Sequence, residues 1–541
     1  MIVRSEAEKQ RRYRGSITVF AALSIMLVAQ LLFTLIEGAR WLELHKASQM
    51  NTESVLESVF ADYCSPLWEE YHILGMTTDN MNGELSFNNR AAQMRKLSLA
   101  NLGGLREKDL LSEGTNLLRA NVNDVDICSY LLMTDGRGTV FEQAVSAYMK
   151  ENLAYELAKG IYNNYESIKE SQDQYGDGSD KISGALDALE EAKSEGTKPS
   201  EQSVQRRNFK GAGQRIRVQA ATSEQTKKVY QEDSSGSKKS QEDNPLTTVT
   251  EAQKKGILGM VLPEKAHLSG AVIQSEMCVS KRTLAQGNAA IPKEEDWYDK
   301  TLFTQYICNY MSSYTESLSN HALQYEMEYL VGGKDNDVDN LRVTVDRLLL
   351  IREGLNMASI VSMPDKLAEA EALAIAMAGA SVNPAIIEAV KYGILAAWAY
   401  VESVLDIRAL LDGDKISLIK SEATWTSTID NFPTLLSGWS KAKSCDAGGL
   451  DYKQYITSLL LFESGKTMAM RAMDVEEATV RTIEGYQSFR MDHAVCEMEI
   501  QETYEWKPIF MMFVPMVTDA KDVYRLIECA HYSYFRGKED V

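Results

Sequence analysis

The chain is poor in the residues that announce chemistry. Histidine occurs six times in 541 residues, and no pair stands at the H-E-x-x-H spacing that binds metal from one helix. There is no G-x-x-x-x-G-K-[ST] phosphate loop, no G-x-G-x-x-G turn and no G-x-S-x-G nucleophile elbow. No catalytic residue and no cofactor is therefore expected. The seven cysteines include no C-x-x-C pair, and an odd number cannot all pair within one chain, which excludes a disulfide framework or zinc knuckle. One or two long-range disulfides stay open if the chain lies in an oxidising compartment. Basic charge is also short: 57 Lys and Arg against 77 Asp and Glu give a net charge of −20. A nucleic-acid partner would need a basic footprint, so none is expected.

What the chain does have is one long uncharged run. Ser16 to Ile36 reads SITVFAALSIMLVAQLLFTLI, the length a helix needs to cross the hydrocarbon core. Arg4, Lys9, Arg11, Arg12 and Arg14 precede it, against Glu6 and Glu8. Glu37, Arg40, Glu43 and Lys46 balance after it. The positive-inside rule places residues 1–15 in the cytoplasm as a basic tail, 16–37 in the membrane and the bulk outside. Trp41 suits an interfacial anchor. A cleaved secretory signal is the competing reading, but Glu37 and Arg40 crowd the one small-residue site near Ala39. Phe510–Val517 is apolar but too short to span.

Beyond the anchor, the apolar spacing of Leu44, Ala47, Val55, Leu56, Val59 and Phe60 predicts a stalk helix. A rod from Ser16 to Phe60 would be on the order of 65 Å long at 1.5 Å per residue. Residues 38–169 form a first extracytoplasmic unit, with a strand at Asn121–Met133, turn chemistry at Thr134–Gly138 and a long helix over Val140–Ile168. Residues 170–244 are rich in Ser, Gln, Glu, Lys and Gly and are expected to be a mostly disordered acidic and polar linker, broken by a helix at Ile182–Lys193. Residues 245–541 are expected to form the main helical domain. Its helices are predicted at Trp297–Leu330, Val338–Leu355, Asp365–Ala380, Pro384–Leu411 (capped by Asn383) and Leu450–Val480. Strands are predicted at Val495–Gln501 and from Pro508, and a final helix at Ala520–Ser533. The class is α+β, helix-dominated, with a small antiparallel sheet.

Two constellations could carry chemistry. Asp335, Asp337 and Asp339 stand at alternate positions with Asp346 twelfth, the spacing of a calcium loop, but Asn340 replaces its turn glycine. The alternative is that Asp337 or Asp339 caps the next helix. Glu326, Glu328, Arg352, Glu402, Asp406 and Arg408 are charges inside apolar helices. They suit buried ion pairs better than acid–base catalysis.

The junction Arg14-Gly15-Ser16-Ile17-Thr18-Val19-Phe20, followed by Glu37-Gly38-Ala39-Arg40, resembles large membrane-anchored proteins of unknown function that accompany Tad/Flp-type pilus genes in Gram-positive anaerobes. Tyr325-Glu326-Met327-Glu328-Tyr329 and Ala397-Trp398-Ala399-Tyr400-Val401-Glu402-Ser403 extend the resemblance through most of the chain outside the linker. The start also resembles Tad minor pseudopilins (TadE- and TadG-like proteins), which implies a processing site between Gly15 and Ser16. Phe20 stands where processed pilins usually carry Glu, which puts cleavage in doubt. The resemblance implies a structural or assembly role, with membrane lipid and other Tad-like pilus or assembly proteins as partners. A surface binding or sensor protein is the alternative, and an extracytoplasmic hydrolase stands behind that.

Overall fold

A helical segment that is apolar all round is buried either in the core of a large protein or in a membrane. The computed structural model describes residues 3–78, 85–102, 120–152, 155–175, 178–195, 245–254, 256–293, 296–378, 383–445, 448–509 and 523–535. In it the segment is the first part of one uninterrupted helix, α1 (Val3–Phe60). Residues Ile17 to Ile36 leave their large apolar side chains exposed except the half-buried Phe33, with Phe20 at 73% and Leu27 at 66%. Among the described residues this is the one helix long and apolar enough to cross a membrane. From Glu37 onward the same helix acquires a buried stripe: Arg40, Leu44, Ser48, Asn51, Thr52, Val55, Leu56, Val59 and Phe60. Steps of three and four keep that stripe on one face.

The stripe meets a sheet. After α1 come α2 (Ser65–Tyr71), β1 (Met76–Thr77), α3 (Asn88–Asn101) and β2 (Ala120–Leu132). The sheet is completed at the other end of the chain by β5 (Ala494–Trp506) and β6 (Tyr524–Ser533). β5 is central and antiparallel to each neighbour. β2 runs along one edge, with Ile127 opposite Ile500; β6 and the short β1 share the other, with Ala530 opposite Ile500. Val55, Leu56 and Val59 pack with Val122, Met498, Ile500, Tyr504, Ala530 and Met94 of α3. A polar knot lies within this layer. Glu502 accepts from Thr52 (3.0 Å), Ser98 (3.1 Å) and Tyr504, and Asn51 donates to the Tyr504 hydroxyl (3.0 Å). Three donors for one buried carboxylate offset much of its desolvation.

Between these outer pieces sits the helical block. It runs through α4 (Thr139–Asn152), α5 (Tyr155–Tyr175), α6 (Gly178–Glu195), α7 (Pro245–Gln253), α8 (Ile257–Val261), α9 (Trp297–Tyr310), α10 (Glu326–Gly332), α11 (Asp337–Ile360), α12 (Pro364–Ala378) and α13 (Pro384–Leu411). A small ribbon of β3 (Ile416–Ser417) and β4 (Gly449–Leu450) encloses α14 (Phe432–Ser437), followed by α15 (Tyr452–Leu460) and α16 (Gly465–Thr482). α13 is the hub, buried from Gly393 to Leu411. Its start is as read from the sequence: Asn383 accepts from the Ala385 amide (3.0 Å) and Pro384 occupies the first turn. α6 lies so close to α13 that a Cβ on Gly393 would sit 2.1 Å from that of Ala185.

Several expectations need correction. The final helix predicted over Ala520–Ser533 is strand β6 from Tyr524; pairing with β5 outweighs local propensity. The linker expected from residue 170 does not start there. α5 continues to Tyr175 and α6 spans Gly178–Glu195, because Ile168, Ser171, Ile182, Ala185 and Leu189 form a buried stripe in otherwise polar sequence. Residues 196–244 and most of the strand expected from Pro508 lie outside the described residues. The single helix expected over Trp297–Leu330 is two, α9 and α10, with an irregular loop at 311–325. The span expected over Leu450–Val480 likewise divides into α15 and α16. All seven cysteines are free.

Truncating Leu56 tests the seam. Leu56→Ala should lower the stability of the folded part by about 2–5 kcal/mol in chemical denaturation. A loss under about 1 kcal/mol would show that α1 and the sheet are not packed as one unit.

Candidate functional site

The charges expected to pair inside the helical block fall into three places: an ion-pair network around Asp406, a carboxylate cluster around the loop at 311–325, and Arg408 by itself. Glu402 and Asp406 are one turn apart on α13; Arg352 and Asn356 are one turn apart on the facing α11. The four side chains meet with no exposure to solvent. Asp406 accepts from Arg352 Nε (3.0 Å) and Nη2 (2.8 Å) and from Asn356 (2.8 Å). The second cation is Lys420, which the sequence gave no reason to single out. It follows β3 and reaches Asp406 at 2.5 Å and Glu402 at closer range. Glu402 also accepts from the Thr426 amide (3.0 Å) and from the Ser427 amide (2.8 Å) and hydroxyl (2.7 Å). Burial pushes the Asp406 carboxyl up, but Arg352 and Lys420 more than offset this and hold it below the ordinary range. Two cations balance two anions, and further donors reach Glu402 and Asp406 Oδ2, which makes the buried network tolerable. Its effect is to clamp residues 417–427 onto α11 and α13.

Arg408 does not join it. Its guanidinium donates to backbone carbonyls only: Met260 (2.8 Å), Leu435 (2.7 Å), Ser440 (3.0 Å) and Leu436 (3.3 Å). It ties α8 and α14 to α13 and pairs with no carboxylate among the described residues. Glu328 is not in an ion pair either. It accepts from the Tyr314 amide (2.9 Å) and the Tyr452 hydroxyl (2.8 Å).

Glu326 and Glu328 belong to a second cluster, around the loop at 311–325. Three buried carboxylates each hold one amide of that loop. Glu326 takes Ser312 (2.8 Å), Glu328 takes Tyr314 and Asp337 takes Gln324 (3.0 Å). Glu326 also accepts from Tyr71 (3.0 Å) and faces His321 at 2.8 Å; the other ring nitrogen of His321 lies 3.5 Å from Glu70 at the surface. Burial pushes the His321 imidazole down, and Glu326 and Glu70 more than offset it, so its pKa stands above the ordinary value. Beneath lies Glu476, accepting from Tyr306 (3.0 Å) and pushed well up by burial. None of His321, Glu476 or Lys420 stood out in the sequence: Glu476 meets partners from distant elements, while His321 and Lys420 sit in irregular segments where no repeating spacing marks them, although Glu326 is only five residues from His321.

The aspartates of the calcium-like spacing turn in different directions. Asp335 pairs with Lys281 (3.0 Å), Asp337 accepts from Ser269 (2.5 Å) and Asp339 pairs with Arg342 (2.9 Å). Asn336, not Asp337 or Asp339, caps α11. Among the described residues no group of three or more His, Cys, Asp or Glu could hold a metal ion. Gly15 and Ser16, where the resemblance implies processing, are inside the helical backbone of α1.

Two substitutions test these clusters. Glu402→Gln removes one buried charge from a balanced set and should cost on the order of 3 kcal/mol; an unchanged melting temperature would overturn the network's role. Glu328 has its pKa raised by burial from the ordinary 4.5 to about 7. A carboxyl raised on folding stabilises the fold while protonated. That contribution is complete below about 4.5 and is lost as pH rises through about 7. The native chain should therefore lose more stability than Glu328→Gln between those values, and parallel melting curves would contradict it.

No curated protein and no solved structure matches the chain. One family profile does, over residues 235–506, from before α7 to the last residue of β5. That span includes the charge network and the carboxylate-held loop, and leaves α1 to α6 and β6 outside. The chain belongs to DUF5702, a family of unknown function.

Proposed function

We propose that the chain is a membrane-anchored, extracytoplasmic structural or assembly accessory of a Tad/Flp-like pilus or secretion apparatus, with a pseudopilin-like start. The observation that carries this reading is the construction of α1. From Ile17 to Ile36 it exposes nearly all its large apolar side chains, and from Glu37 it is packed against the sheet without a break in the helix. A helix built this way transmits the position of the ectodomain directly to whatever surrounds the apolar half, lipid or another copy. In this reading the basic residues before Gly15 face the cytoplasm and everything after Glu37 lies outside. The polar clusters described above fit the same role, since their groups are spent on holding loops. Deleting the gene in its native host should reduce the number or length of surface pili. Pili unchanged in both would overturn the proposal.

A second reading, a surface binding module, is favoured by one cavity. It measures about 370 Å³ and is lined by Trp68, His72, Tyr148, Tyr534 and Phe535 among others. The Trp68 ring stands nearly perpendicular to those of His72 and Tyr148, which are stacked on each other. Loss of cell adhesion with normal pili in Trp68→Ala/Tyr148→Ala would favour this reading over assembly.

A further inference from the structure

The aromatic cavity beside α2 is assembled from three separate parts of the chain. Trp68 lies on α2 and His72, one turn on, ends it. Opposite them α4 presents Ala144, Ala147, Tyr148 and Glu151, the spacing of one helix face. Tyr534 and Phe535, just past β6, complete the wall. The two alanines leave room that larger side chains would fill. The volume, about 370 Å³, is within the range of small-molecule sites.

His72 has left-handed backbone, φ 55° and ψ 31°, which a residue with a Cβ seldom adopts. In that position its ring lies flat against Tyr148, with centroids 5.5 Å apart and planes 7° apart. The Trp68 ring stands across both, at 89° to His72 and 83° to Tyr148, with centroids 5.3 and 6.2 Å away. The three rings form two walls at right angles. The hydroxyls beside them are already engaged: Tyr148 shares a hydrogen bond with Tyr310 (2.8 Å), and Tyr534 donates to the Phe60 carbonyl. Among the described residues that line the cavity, the exposed Glu151 is the one carboxylate, and there is no Lys or Arg.

This lining selects its ligand. A sugar or a primary ammonium would bring donors that the engaged hydroxyls cannot match, and burying an unmatched donor is costly. A quaternary ammonium has no N–H to satisfy. Its methyl groups suit apolar walls, and ring faces within about 6 Å attract its charge. The spacing above brings all three rings within reach of one such group, and Glu151 supplies the opposite charge at the mouth.

We propose that the cavity binds a quaternary ammonium group of the choline or betaine type. The inference deepens the second of the two readings above, a surface binding module, and rests on it. With α1 as an anchor, the group belongs to a molecule outside the supporting bilayer. Ile36 to Phe60 runs about 36 Å along α1 at 1.5 Å per residue, and Tyr534 is tied to Phe60, so the cavity stands well beyond the headgroups.

Calorimetric titration of the full chain in maltoside micelles, which carry no ammonium group, tests this. Choline chloride is compared with its neutral isostere, in which a carbon replaces the nitrogen. Choline should bind about tenfold more tightly than the isostere. Trp68→Leu should weaken choline binding about tenfold and Glu151→Gln a few fold. Glu151 is exposed, so its variant reads the site even where Trp68→Leu disturbs packing. Equal affinity for both compounds, or no choline heat, would overturn the cation assignment; loss of adhesion in Trp68→Ala/Tyr148→Ala would then leave the binding reading standing with another ligand. Choline binding with adhesion unchanged in that double variant would keep the site and overturn the reading. Repeating the titration in phosphatidylglycerol and in phosphatidylcholine vesicles separates the sources. Equal affinity in both supports an outside ligand, and loss of choline binding in phosphatidylcholine would assign the cavity to its own lipid and overturn that placement.

Discussion

The contact between α1 and β5 is what the rest of the molecule depends on. Without it the apolar segment is a tether of arbitrary orientation; with it the segment and the sheet are one body. The seam combines apolar burial by Val55, Leu56 and Val59 with the hydrogen bonds that Thr52, Ser98 and Tyr504 give to Glu502. The apolar part supplies most of the free energy, and the polar knot restricts register. A slip of one residue along β5 would turn Glu502 out of reach of its donors and put Gln501 or Thr503 in its place.

The helical block is organised on a similar principle. Its irregular stretches are held by buried polar side chains from regular helices. Lys420 and the amides at 426 and 427 are drawn onto α11 and α13, Arg408 gathers carbonyls from α8 and α14, and Glu326, Glu328 and Asp337 hold the loop between α9 and α10. The buried carboxylates of these clusters are occupied with backbone amides, tyrosine hydroxyls and the side chains of Arg352, Lys420 and His321.

The parts of the fold set by local rules could be read directly from the sequence. The uncharged run, the Asn383-Pro384 start of α13 and the alternation at Val495–Gln501 each rest on a few adjacent residues. The misreadings have a common cause. Tyr524–Ser533 has a pattern that a helix tolerates, and only β5 alongside makes it a strand. The stripe of α5 and α6 is carried by Ile168, Ile182, Ala185 and Leu189, too sparse in polar sequence to stand out until α13 is there to cover it. At the candidate sites, the charges within helices were visible as anomalies, but their partners were not.

The sequence by itself determined the long apolar helix, the helical character of the bulk and the absence of familiar catalytic motifs, because these depend on composition and on neighbours a few residues apart. The tertiary structure decided which charges meet. It joined Arg352 to Asp406 and Lys420 but left Arg408 among carbonyls, separated the aspartates at 335, 337 and 339, and brought Trp506 down beside Arg40 at the end of the apolar run. Those pairings join residues tens to hundreds of positions apart. They are set by the packing of whole helices and by strand register, for which no local spacing carries a signal.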